Sequence, residues 1–140
     1  GSTVPTLTYT YAGLVNGQSS VNFTGDLSTN ATSSSNVGSV YTIGQGTLVA
    51  TGNYTIGTMV SAYVAITPAT LSITAANKSM VYGATVPTLT YTYSGLVNSD
   101  NAATFTGGLS TTATNSANVG SNYPISQATL AATGNYTIGM

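Results

Sequence analysis

The sequence has no Cys, no His and no Trp, and its whole charge complement is Asp26, Lys78 and Asp100. That is 2% charged residues, against about 25% in an ordinary soluble domain. Each absence removes a class of function. Without Cys, a small fold has no disulfide staples and must hold by sheet packing. Without His, Cys, Glu or Arg, general acid–base work would fall to Asp26, Asp100, Lys78 or a Tyr, and the expectation is that the chain is not an enzyme. Two isolated carboxylates fall short of the oxygen cage that Ca²⁺ requires, so no metal and no cofactor is expected. One Lys and no Arg cannot neutralise several phosphates, which argues against a nucleic-acid partner and against electrostatic docking on an anionic bilayer. No apolar run approaches the roughly 20 residues that span a membrane, so no membrane insertion is expected.

Ser and Thr make up 44 of the 140 residues, beside 16 Gly and 10 Tyr, and 41% of the chain is hydrophobic. The apolar residues fall in short alternating runs. In TLTYTY, Leu7, Tyr9 and Tyr11 share one parity and Thr6, Thr8 and Thr10 the other, which is the period-two signature of a half-buried strand. Thr, Val, Tyr and Ile favour strands, and no apolar stripe of helical period is present. The fold class read from this pattern is all-β.

The chain repeats itself. TVPTLTYTYAGLVN begins at Thr3, and TVPTLTYTYSGLVN begins 82 positions later at Thr85. The match runs without a gap to Thr58 and Met140, with 39 identities in 56 pairs. Tyr9/Tyr91, Tyr11/Tyr93, Phe23/Phe105, Tyr41/Tyr123 and Tyr54/Tyr136 coincide, as do Gly13/Gly95, Gly25/Gly107, Gly38/Gly120, Gly52/Gly134 and Gly57/Gly139. An ungapped match of this kind predicts two copies of one fold, with aromatic anchors and turn glycines in register. The longest divergent stretch, 17–22 against 99–104, reads as an exposed loop or an exposed edge.

Residues 59–84 have no second copy. Within them Val60, Ala62, Val64 and Ile66 alternate with Ser61, Tyr63 and Ala65, and after Pro68 the residues Leu71 and Ile73 alternate with Ser72 and Thr74. The segment is therefore expected to hold the last strand of one unit and the first strand of the next, with Pro68 breaking the run. The predicted organisation is a module over 1–67 that lacks its first strand, a joint at 68–69, and a module over 70–140 that lacks its last. About seven short strands at roughly ten-residue spacing per complete unit fit a small β-sandwich. Asn16-Gly17 and the weaker Asn98-Ser99 mark tight turns.

VYGATVPTLTYTYSGLVN, VGSNYPI and ATGNYTI are the most distinctive blocks. With them the chain resembles the MBG repeat domain of large bacterial surface and secreted proteins, in two out-of-phase copies. The resemblance implies tandem immunoglobulin-like β-sandwich modules of about 82 residues each, with a β-grasp-like module as the alternative. It also implies an extracellular or cell-surface role as stalk or adhesin arm. The family often carries an acidic residue after its Tyr-Gly and in its VNGD turn; this chain has Ala84 at the first place, and Gln18 and Asp100 at the second.

An incomplete module exposes unpaired backbone groups beside an apolar stripe, which is a template for another strand. The leading expectation is a structural subunit or stalk segment of an extracellular bacterial fibre, joined by strand complementation. Its partner would be itself, as a head-to-tail homopolymer, or adjacent repeats of a longer chain. The strand-exchange candidates are Val60, Ala62, Val64, Ile66, Leu71 and Ile73. The alternatives are an adhesin module binding a surface glycan or protein through loops 17–22 and 99–104, and an ice-binding face built on the Thr-rich strands. Asn22, Asn30, Asn53, Asn77 and Asn135 begin glycosylation sequons.

Overall fold

The computed structural model describes residues 1–139; Met140, where the repeat match ends, lies outside them. The chain is all-β, with no helix among the described residues. It forms two compact units, Gly1–Ile66 and Thr67–Met140.

The first unit holds five short strands: β1 Phe23–Thr24, β2 Ser28–Thr29, β3 Tyr41–Gly44, β4 Val49–Ala50 and β5 Ala62–Val64. β1 and β4 pair antiparallel, and β3 lies between β2 and β5 in an antiparallel sheet. Leu48 and Ala31 are its buried apolar residues. The second unit holds seven strands: β6 Ala69–Ala75, β7 Tyr91–Ser94, β8 Phe105–Thr106, β9 Ser110–Thr111, β10 Ile125–Ser126, β11 Ala131–Ala132 and β12 Tyr136–Ile138. Here β6 is the centre of a three-stranded mixed sheet, antiparallel to β7 and parallel to β12. Its alternation turns Ala69, Leu71, Ile73 and Ala75 inward, and Leu71 is fully buried. Leu130 and Tyr136 are the other buried residues of this unit.

The Asn16-Gly17 turn forms as the sequence predicts. Both residues have positive φ, as a type I′ hairpin turn requires, and the Gln18 N–H donates to the Val15 carbonyl at 3.1 Å. Asn98 and Ser99 adopt the same positive φ values, and the Asp100 N–H donates to Val97 at 3.0 Å. The turn is therefore kept although Ser replaces Gly, which places a Cβ in a region that disfavours it.

Two strand expectations change. The run Val60–Ile66 contracts to Ala62–Val64: pairing with β3 ends at Ile43↔Ala62. Val60 stands beyond that ladder, 89% exposed, and Ile66 follows it half-buried. More consequentially, the last three residues of TLTYTY are strand only in the second unit, and so is the YTI that ends the ATGNYTI block. Their first-unit counterparts, Tyr9–Ala12 and Tyr54–Ile56, belong to no ladder. The cause is physical. In the second unit both pair with β6, and the first unit holds no strand of that kind among its described residues.

Candidate functional site

Where β6 lies in the second unit, the first unit has an open cleft of about 710 Å³. One wall is Tyr9–Ala12 and the other Tyr54–Ile56, with Phe23, Leu48 and Ile43 among the lining residues. The walls are held in place without a strand between them. Phe23 packs against both Tyr9 and Tyr11, with ring centroids 5.1 and 5.0 Å apart. The corresponding Phe105 cluster has 5.4 and 4.9 Å to Tyr91 and Tyr93. Edge-on and tilted packing of this kind is the favoured aromatic geometry.

The other wall is anchored to the Asn16-Gly17 turn. The Val15 N–H donates to the Tyr54 hydroxyl at 3.1 Å, and that hydroxyl meets the Gln18 side chain. In the second unit the Val97 N–H donates to the Tyr136 hydroxyl at 3.1 Å, and this hydroxyl donates to Asp100 Oδ2 at 2.6 Å. Only the second pair is charge-assisted, which makes it the stronger contact. The Asp100 hydrogen bond raises the Tyr136 pKa above the usual 10.0. An acid whose folded value is raised contributes stability that is fully present below the unfolded value and lost as pH rises through the folded one. In an alkaline titration followed by phenolate absorbance, Tyr136 is accordingly expected to ionise late. D100N should move that ionisation down, and a D100N profile that overlays the wild type would refute the assignment.

Glycines report the cleft independently. A Cβ at Gly95 would lie 2.7 Å from the Thr70 carbonyl oxygen, and one at Gly139 would lie 2.8 Å from the Thr70 methyl. These glycines give β6 room for close approach. Their counterparts Gly13 and Gly57 meet nothing within 4 Å. Gly13 has a positive φ that explains it locally; Gly57 does not. Gly57 has the composition of a strand-contact site and faces open space.

Compared with known proteins, the profile of the MBG domain (YGX type) matches residues 1–63 and again residues 71–140. The chain belongs to the MBG domain family. Searches of curated proteins and of solved structures returned no match.

The second MBG domain has an open cleft of its own, about 780 Å³, lined by Ala75, Met80, Val81, Tyr82, Val86 and Leu89 on one side and by Val119 and Tyr123–Ile125 on the other. In the first MBG domain the corresponding stretch is β3, and β5 pairs with it in the register Tyr41↔Val64, Thr42↔Tyr63 and Ile43↔Ala62. By position in the repeat, the first domain is thus open where the second holds β6, and the second is open where the first holds β5.

Of the six strand-exchange candidates, Ala62 and Val64 lie in β5, and Leu71 and Ile73 lie on the inward face of β6. Val60 and Ile66 lie outside both strands. In the sequence, the residues that form the first cleft carry the pattern of strand and core, with no signal of a site. The sequence presents Gly57 and Gly139 alike with the turn glycines, although neither has the positive φ of the turn positions. Among the sequon residues Asn22, Asn30, Asn53 and Asn77 are exposed, and Asn135 is half-buried beside β12. No group of three or more His, Cys, Asp or Glu that could hold a metal occurs among the described residues.

Proposed function

We propose that the chain is a structural repeat segment, a stalk or fibre element, of an extracellular bacterial surface protein, and that neighbouring MBG domains complete one another's sheets with β-strands. It carries no catalytic role in this reading. The observation behind it is the segment from Ala62 to Ala75. It gives β5 to the first domain and β6 to the second, so a single connection finishes one sheet and founds the next.

A count of strands supports adjacent repeats as the partner. Two domains share one β5-type and one β6-type strand among the described residues. If identical chains exchanged these strands, every strand lent would open a cleft in the lender, and the number of open clefts would not change. Complementation that closes all clefts needs a further connecting segment of the 59–84 type at each junction. Adjacent repeats of a longer chain would supply that segment. The few charges suit this role, because charge normally guards strand edges against pairing.

Recombinant arrays of increasing numbers of complete 82-residue repeats, imaged by electron microscopy, are expected to appear as rods whose length grows in proportion to repeat number, with no ligand required. Compact particles of length independent of repeat number, or rods that form only with a glycan bound, would overturn the proposal.

A further inference from the structure

We infer that the cleft of the first MBG domain is a receptor for one β-strand of the Ala69–Ala75 type, inserted in a fixed polarity and register. The inference rests on the reading of these domains as strand-sharing repeats and adds the identity and placement of the guest. The second domain supplies the template. There β6 pairs in the order Tyr136↔Ala69, Thr137↔Thr70 and Ile138↔Leu71 on its parallel side. On its antiparallel side it pairs Ser72↔Ser94, Ile73↔Tyr93, Thr74↔Thr92 and Ala75↔Tyr91. Shifted by one repeat, a guest would run parallel to Tyr54–Ile56 and antiparallel to Tyr9–Ala12. Its leucine would enter level with Ile56, and its isoleucine level with Tyr11.

Backbone chemistry fixes that register. In the second domain the Ala69 N–H donates to the Asn135 carbonyl and the Gly139 N–H donates to the Leu71 carbonyl, each at 2.9 Å. In the first domain the Asn53 carbonyl and the Gly57 N–H occupy the same places in the repeat. The receptor is also preorganised, since the aromatic cluster and the Tyr54 hydroxyl already hold both walls, which lowers the ordering cost of binding. Alternate-residue pockets beside a main-chain ladder are how strand addition obtains specificity. The first cleft is a better receptor than the second, because Pro124 stands where β3 has Thr42 and cannot donate to a ladder.

Gly57 makes the inference testable. Its Cβ direction is open and its φ lies outside the left-handed region, so Gly57→Val is expected to leave the fold of the chain unchanged. A guest strand would bring its Thr70-type methyl against that new side chain, as Gly139 shows at 2.8 Å. The probe is a synthetic peptide of residues 67–84, added to the full 140-residue chain and followed by NMR and amide hydrogen exchange. The expected result is one peptide bound per chain, with exchange at Gly57 slowed by about an order of magnitude or more. G57V should melt as the wild type does and bind the peptide at least about tenfold more weakly. A peptide carrying Asp in place of the Leu71 residue should not bind. Absence of binding, or binding that G57V leaves unchanged, would overturn the inference. Should the repeat arrays form rods all the same, the strand receptor alone is refuted and the stalk reading stands.

Discussion

Leu71→Ala is expected to cost the second MBG domain about 3–5 kcal/mol, the range for a large buried aliphatic side chain cut back to a methyl. Leu71 is fully buried and stands in β6, the central strand of a three-stranded sheet, paired on both sides. The surroundings cannot collapse onto the space it leaves, because the backbone on both flanks is fixed by ladder pairing to β7 and β12. A domain of about 70 residues has roughly 4–10 kcal/mol in total, so the variant should lose about a third of its stability or more. Chemical denaturation of the whole chain measures this, with hydrogen exchange at the β6 and β7 amides assigning the loss to the second domain. Ile73→Ala, two residues along the same face but only half-buried, should cost less. A loss under about 1 kcal/mol for Leu71→Ala would show that β6 is not the core strand that its burial indicates.

The same strand shows how far the sequence could be read. Period-two alternation exposed β6 and β7, and the ungapped match gave two copies of one fold, because those signals are local or depend only on comparing the chain with itself. The Asn-Gly turn was legible because φ > 0 at two successive residues has few compositional solutions. Failure came where a strand depends on its partner. TLTYTY is the same six residues in both copies, and its last three are strand in one and unpaired in the other. Nothing within those residues differs; what differs is whether a strand of the β6 type lies beside them. Burial departed from parity for the same reason. Tyr9 and Tyr11 have core parity and pack on Phe23, yet remain 44% and 45% exposed, because the cleft leaves one side of that cluster open. The edge of a ladder is equally non-local. Val60 continues the alternation of β5 in sequence and leaves the sheet in space, since β3 has nothing further to pair with it.

Glycine gives the second large effect, and it separates two reasons for a glycine that the sequence presents alike. At Gly107, with φ +71°, an added Cβ would lie 2.0 Å from the Thr129 carbonyl oxygen and 2.5 Å from its carbon. At Gly25, with φ +76°, the distances to the Thr47 oxygen and carbon are 2.1 and 2.6 Å. These are backbone atoms, so no rotamer change relieves the collision. The approach is set by the ladders just beyond, β8 with β11 and β1 with β4, and by the Gly108 N–H donating to Thr129 Oγ1 and the Asp26 N–H to Thr47 Oγ1, each at 3.1 Å. Leu130 and Leu48, only 2% and 5% exposed, follow immediately, so parting the strands also disturbs the core. Gly107→Ala should therefore cost about 4 kcal/mol or more, at the extreme of single-residue effects. Gly134 is the control. Its φ is also +71°, but its Cβ direction meets nothing within 4 Å. Gly134→Ala bears only the left-handed backbone penalty, about 1–2 kcal/mol. Denaturation midpoints for the two variants, measured in the same chain, isolate the contact from the conformation. Equal losses would mean that the strand pair parts freely at Thr129, and that the turn, not the close backbone approach, is what holds β8 to β11.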